Sequence, residues 1–358
     1  MKKILALLLS TVLIIGISGC VQKDEATSLS KSPSTSAAGA IKEDSIVLTY
    51  GQLGDNSEND YMSRYSNRFM ELVEERTNGQ IVFDFYPNNQ LGSEQSMLDQ
   101  IVSGSLDFAP ISSTVTASIY PDFSIYVMPF AFSNHEEFRA AQNAGAFSNL
   151  EAITSEGPVR LVSPMVISFR GLSNTKREIR HADDMKGLSF RVVAGEIYAD
   201  AYNALGATTS TITFSELYTA LQQGVIDGED NPLLYVMQYK FYEQERFHTQ
   251  LGMFMSVNPL IMSEKVLDKI TPEQYEIIKQ CAREAESYGD EEFNKIMDQA
   301  AEEYVAAGGK VVWFEDLTAE EVQSFKDATK PVWDKFAKQV APETYKAYME
   351  ARKSVGLD

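Results

Sequence analysis

IVFDFYPNNQLGSEQSMLDQIVSGSLDFAPI, residues 81–111, is the stretch whose reading decides the fold class. Ile81, Phe83 and Phe85 alternate with Val82 and Asp84, the period of a strand, and Pro87-Asn88-Asn89 stops it. Ser93 then stands as a helix cap, with Met97, Leu98, Ile101 and Val102 on one face and Gly104 at the end. Leu106–Ile111 is another short apolar run. Upstream, Ile46–Tyr50 reads as a strand. Tyr61–Asn78 reads as a helix that turns Met62, Tyr65, Phe69, Leu72 and Val73 inward and closes at Gly79. This alternation predicts an α/β fold on a parallel, doubly wound sheet.

The rhythm repeats after Phe169 with different material. Leu188–Val193 reads as a strand, Glu196–Leu205 as a helix, and Ser215–Gln223 as a second helix with Leu217, Ala220 and Leu221 inward. Two such units in series predict two lobes, and the cleft between lobes is where a small molecule binds. The last third is helical. Thr271-Pro272-Glu273-Gln274 combines a capping threonine, a proline at the first helical position and a glutamine at the third. The pattern runs to Ala307, about 36 residues or roughly 54 Å at the α-helical rise. Val311–Phe314 adds a strand. Thr318-Ala319-Glu320-Glu321 opens a terminal helix that Pro331 kinks.

The start of the chain places the protein. Lys2 and Lys3 precede an apolar run, Ile4–Gly16, too short for a permanent membrane span, which ends in Ile17-Ser18-Gly19-Cys20. Residues 1–19 read as a signal peptide. The pattern resembles the lipobox of bacterial lipoproteins, which implies acyl chains on Cys20 and an anchor on the outer face of the cytoplasmic membrane. The plain alternative is a secretory leader with an incidental cysteine. Residues 20–44 are rich in Ser, Thr, Lys, Ala and Gly and nearly devoid of large apolar side chains, so they read as a flexible tether.

The chain has 31 basic and 51 acidic residues, a net charge of -20; the leader carries two of the basic residues and no acidic one, leaving -22 after its removal. That balance argues against nucleic acid and against an anionic lipid surface as direct partners. Any anionic ligand needs local positive charge held against the overall field. Cys281, the one cysteine besides Cys20, reads as a small apolar residue inside the long helix. His135, His181 and His248 have no metal-ligand spacing, and Asp227, Glu229 and Asp230 lack that of a calcium loop and read as a solvated turn. No nucleophile elbow or paired acid and base supports a hydrolase, and no cofactor is implied.

Arg170 and Arg191 flank a short, polar, turn-rich connection. A guanidinium held at the end of an apolar strand can grip a carboxylate through two parallel hydrogen bonds. The surrounding pieces are Phe169-Arg170-Gly171, Asn174-Thr175-Lys176-Arg177, Asp184-Met185-Lys186-Gly187-Leu188, Arg191-Val192, Ser215-Glu216-Leu217-Tyr218-Thr219-Ala220-Leu221-Gln222 and Asp227-Gly228-Glu229-Asp230-Asn231-Pro232. Earlier come Glu74-Glu75-Arg76-Thr77-Asn78-Gly79, Tyr86-Pro87-Asn88, Gln90-Leu91-Gly92 and Met128-Pro129-Phe130. Together they resemble the DctP-type extracytoplasmic solute-binding proteins of tripartite ATP-independent (TRAP) transporters, in lipoprotein form.

The resemblance implies a two-lobed, periplasmic-binding-protein-like α/β fold with a long bracing helix near the C-terminus. It implies lobe I over 45–168 with 257–297, and lobe II over 169–256 with 298–358. It also implies a binding protein that captures a carboxylate-bearing organic acid by hinge closure and passes it to membrane permease subunits. On this family's pattern Arg191 is the carboxylate clamp, Arg170 a second arginine of the same pocket, Asn231 an amide on the same carboxylate and Phe214 a ring over the ligand. The plain alternatives are an internal ion pair for either arginine, a turn for Asn231 and core for Phe214. Asn59, Asp60, Glu94, Ser112 and Ser113 are candidates for the opposite wall, where loop and cap positions have the same composition. Leu53 and Ser112 replace an asparagine and a glutamate of the sialic-acid-binding members. Hydrogen-bonding rather than cationic groups on that wall favour a sugar acid; a simple dicarboxylate, or a sensor role for the same fold, is the alternative.

Overall fold

The computed structural model describes residues 44–57 and 60–357, with backbone alone for 289–295. The leader, Cys20 and Asn59 lie outside the described residues. The helix Tyr61–Arg76 starts where the Asp60 side chain accepts the Met62 N–H, and buries Met62, Tyr65, Phe69, Leu72 and Val73. The helix Glu94–Ser103 starts at Ser93, whose hydroxyl accepts the Ser96 N–H, and stops at Gly104 in the left-handed region with φ 80°. The 35-residue helix Pro272–Ala306 opens on the reciprocal Thr271–Gln274 capping box. The helix Ala319–Phe336 opens on the Thr318–Glu321 box and continues through Pro331.

Eleven strands are described: β1 (Ile46–Gly51), β2 (Ile81–Tyr86), β3 (Phe108–Pro110), β4 (Val159–Ser163), β5 (Val166–Asn174), β6 (Ser189–Val192), β7 (Thr208–Thr211), β8 (Gly228–Glu229), β9 (Phe247–Val257), β10 (Leu260–Ser263) and β11 (Lys310–Val312). They form two sheets, in the orders β2-β1-β3-β10-β4 and β11-β9-β5-β8-β6-β7. The parallel expectation holds for β1 with β2 and β3, and for β6 with β7 and β8. The rest of each sheet is mixed: β10 runs antiparallel to β3 and β4, and β5 antiparallel to β8 and β9.

The two sheets are joined where β4 leads into β5 and β9 leads into β10. These crossings lie side by side, with the Asn258 N–H donating to the Met165 carbonyl at 2.8 Å. The first sheet buries an aromatic cluster in which Tyr50 stacks on Phe108 at 6.5 Å and Tyr65 on Phe69 at 6.4 Å. Ile278, Cys281, Ala282, Ala285 and Tyr304 of the long helix join the same core, as do Leu217 and Leu221. Each fully buried large apolar side chain stabilises the fold by about 1.5–3 kcal/mol.

Gly228 explains one glycine of the Asp227–Pro232 run. It is wedged between β5 and β6, where a Cβ would stand 2.3 Å from the Ser173 carbonyl oxygen and 2.8 Å from Phe190 Cζ. Gly228→Ala is expected to cost about 1–3 kcal/mol through overpacking, seen as a lower urea midpoint. An unchanged midpoint would show that the strands part without penalty.

Candidate functional site

Strand alternation aims the first arginine. On β6, Phe190 and Val192 enter the core, so Arg191 and the following Val193 point the other way, into a cavity of about 70 Å³. On β5, bulges between Val166 and Ser168 and between Arg170 and Leu172 break the regular pairing, and Arg170 faces the same cavity as Ile167. Asn231 stands two residues after β8, and its carbonyl accepts the Gly171 N–H at 3.2 Å. The site is thus built where three neighbouring strands of the second sheet meet the first.

The two guanidiniums differ in what they hold. Arg170 donates from Nε and Nη2 to the two carboxylate oxygens of Asp230, at 3.0 and 2.8 Å. Asp230 is fully buried and also accepts the Tyr202 hydroxyl at 3.1 Å. Arg170 lies over the Tyr198 ring, 5.3 Å from its centroid, and donates to Asn231 Oδ1 at 3.3 Å. Burial works against its charge, but Asp230 outweighs burial and holds the guanidinium above its ordinary pKa. The ion-pair alternative therefore describes one edge of Arg170, although the residue also lines the cavity.

Arg191 is 4 % exposed, and its Nε donates to the Ile212 carbonyl at 2.8 Å. Its Nη1 is buried without a hydrogen-bond partner, and among the described residues it forms no ion pair. Burial pulls its pKa below the ordinary value; Asp230 opposes that shift and the like charge of Arg170 adds to it. Beside it, Asn231 Nδ2 is also buried and unpartnered. Two desolvated donors that share an opening with no acceptor between them are arranged for an anion.

The opposite wall carries a carboxylate. Glu94 Oε1 accepts the Ser112 N–H at 2.8 Å and Oε2 accepts the Ser112 hydroxyl at 3.2 Å, while Asn258 Nδ2 reaches Oε1 at 3.4 Å. Burial raises the Glu94 pKa, and the Ser112 hydrogen bonds and both arginines pull it back. Phe214 lies in the wall, edge-on to Tyr239 at 4.6 Å. Two of the proposed opposite-wall residues stand elsewhere. Asp60 is spent as the cap of the first helix and accepts the Ser63 hydroxyl at 2.9 Å, with burial raising its pKa to about 6. Ser113 is buried in the short helix Ser113–Thr116 and does not line the cavity.

The solvated-turn reading of Asp227, Glu229 and Asp230 is corrected for two of the three. Glu229 and Asp230 are fully buried, because β8 is an interior strand between β5 and β6. Burial pushes Glu229 up to about 8, with neighbouring Asp230 adding. Sequence reasoning missed Tyr198, Tyr235, Tyr239, Ser256 and Asn258, which also line the cavity. No short motif marks them, since they come from helices and a strand end that only the fold brings together. A larger cleft of about 870 Å³ elsewhere carries Lys326 against Glu136, Asp298 and Glu315, a balance that does not suit an anion.

Comparison with known proteins identifies the family to which the chain belongs. The family model of the bacterial extracellular solute-binding proteins, family 7, matches residues 54–339. A relative from Sinorhizobium fredii, the uncharacterized protein y4mM, is 31% identical over 268 residues, 74% of this chain; the match spans about half, 48%, of that relative's length. A TRAP periplasmic solute-binding protein of known structure from Ochrobactrum anthropi is 27% identical, with a TM-score of 0.78 over 87% of this chain and 96% of its own. The sugar acid binding protein DctPAm from Advenella mimigardefordensis, solved with galactonate, superposes with a TM-score of 0.80 at 21% identity, over 87% of this chain and 99% of its own.

Proposed function

The chain belongs to the bacterial extracellular solute-binding proteins of family 7, and on that premise we propose that its cavity captures an organic acid through Arg191 and Asn231. The protein is an extracytoplasmic solute-binding protein of the TRAP type. Capture works by closure of lobe I and lobe II around the guest. Water leaves and the Arg191 contact strengthens as the local dielectric falls. The closed form is what the permease subunits receive, and acyl chains on Cys20 hold the protein near them. Nothing in this reading calls for turnover of the guest.

The observation that carries the proposal is the buried Arg191 Nη1, which lacks a partner beside an equally unpartnered Asn231 Nδ2. A sugar acid fits best. Its carboxylate meets the two donors, its hydroxyls donate to Glu94, and its C–H face lies on Phe214 and the tyrosines. The experiment is a thermal-shift panel of galactonate, galacturonate and gluconate against succinate and malate. Stabilisation by the hydroxy acids is expected; a panel without any stabilising acid would remove the proposal.

Glu94 sets the preference within that panel. The second carboxylate of succinate meets a like charge there, and like charges across a dry site cost several kcal/mol. Glu94→Gln is expected to tighten succinate binding roughly tenfold relative to galactonate, a difference of about 1.4 kcal/mol. Equal weakening of both acids would instead make Glu94 a general part of the wall.

A further inference from the structure

The wall across from Arg191 carries a negative charge with no cation of its own. Glu94 lines the cavity, and its carboxylate is held only by neutral donors: the Ser112 N–H, the Ser112 hydroxyl and the Asn258 amide. Among the described residues it forms no ion pair. A carboxylate offers about four lone-pair directions, so these donors leave room for one more. Asp60 adds to the same sign. It stands just beyond Gly54, another lining residue, where a Cβ would lie 2.2 Å from Asp60 Oδ2. With its pKa at about 6, Asp60 is mostly ionised at neutral pH.

The positive side is smaller than two arginines suggest. Arg170 is matched by Asp230, and Glu229, pushed up to about 8 by burial, keeps its proton near neutrality. Of the cavity-lining cations, Arg191 alone is left to balance Glu94 and Asp60. A guest that brings only a carboxylate adds one more negative charge to this balance; a guest that brings a carboxylate and an ammonium adds none. The aromatic part of the lining suits the second kind. Phe214 stands edge-on to Tyr239 at 4.6 Å, Tyr235 meets Tyr239 at 5.8 Å and 90°, and Phe214 and Tyr235 are 6.0 Å apart, so three rings turn a corner in the wall. Aromatic faces attract a cation through the ring quadrupole. The cavity already uses this contact once, with the Arg170 guanidinium 5.3 Å from the Tyr198 centroid.

We propose that the cavity takes a zwitterionic acid, with its carboxylate on Arg191 and Asn231 and a protonated amine of the same molecule on Glu94, against the corner of Phe214, Tyr235 and Tyr239. Glu94 is then the residue that selects the guest, and amino sugar acids are the favoured members of the sugar-acid class. A hydroxyl that reaches Glu94 makes a hydrogen bond to a charged acceptor. An ammonium makes that bond and cancels the charge as well. Burial already works against the ionised form of Glu94, and a cationic partner relieves that cost where a hydroxyl does not.

A zwitterionic guest presupposes the organic-acid reading above and narrows it to acids that carry an amine. Two matched pairs test it, each exchanging one hydroxyl for an ammonium: glucosaminate against gluconate, with the amine next to the carboxylate-bearing carbon, and isoserine against glycerate, with the amine one carbon further. Calorimetric titration of the wild-type protein at neutral pH is expected to show the amine-bearing member of at least one pair binding roughly tenfold more tightly. Glu94→Gln should erase that margin. Hydroxy acids that bind as tightly as their amine counterparts in both pairs overturn the zwitterionic guest and leave the organic-acid reading standing. An amine preference that survives Glu94→Gln overturns the role of Glu94. Silence from all four compounds and from the acid panel removes the organic-acid reading, and the zwitterionic guest with it. If Glu94→Gln does not fold, the wild-type pairs still decide.

Discussion

Arg191→Ala is expected to abolish acid binding in practice while leaving the ligand-free protein about as stable as before. Removing one partner of a buried, hydrogen-bonded charge pair costs about 2–5 kcal/mol, roughly thirtyfold to several-thousandfold in Kd. Stability should respond differently because the residue's charge is poorly compensated without a guest. Its Nη1 has no partner and burial depresses its pKa. What the fold loses is the Nε bond to Ile212 and some packing. What it sheds is a desolvated charge. Functional groups held at such a cost are a recurrent trade of stability for activity. Calorimetric titration with the strongest acid of the panel checks the first half, and urea unfolding without ligand checks the second. Unchanged affinity would move the clamp elsewhere, and a collapse in stability would make Arg191 a structural residue.

Asp230→Ala should do the reverse and strike the fold first. Its carboxylate takes three hydrogen bonds from buried donors, two from Arg170 and one from Tyr202. Truncation leaves the Arg170 guanidinium buried under Tyr198 without its counter-charge, a loss of about 3–5 kcal/mol. The urea midpoint of the ligand-free protein reads it directly. Removing both partners is gentler than removing one, because an apolar pair leaves no stranded charge. The double variant Arg170→Met, Asp230→Leu should therefore recover most of the lost stability while still binding acids poorly. If the single and double variants lose the same stability, the ion pair matters through its shape rather than its charge.

Much of this architecture is legible in the residues because its signals are local. Asp60, Ser93, Thr271 and Thr318 each cap the helix that follows them, and Gly104 ends the second. Ile81, Phe83 and Phe85 do lie on a strand. The mixed sheets are not local. Strand β9 gains its place by pairing with β5, about eighty residues earlier, and no periodicity announces a partner at that distance. The site divides in the same way. Arg191, Arg170, Asn231, Phe214, Glu94 and Ser112 converge on one cavity. Asp60 fits a binding loop by composition, but the adjoining helix claims its side chain first. Glu229 and Asp230 look like surface residues because acidic side chains seldom enter a core. Only the interior position of β8 reveals otherwise.

The placement of β10 has a consequence for biogenesis. This strand comes late in the sequence yet lies between β3 and β4, inside the first sheet. A nascent chain that has not reached Leu260 can form β1, β2 and β3 but leaves a gap where their neighbour belongs. The first half cannot finish folding while the second is still being made, so early domain-wise folding, the usual order for large chains, is closed to it. Fragments cut short of residue 260 should stay soluble only with chaperone help, and a chain kept open until its last third is complete is still thin enough to thread through a translocation pore.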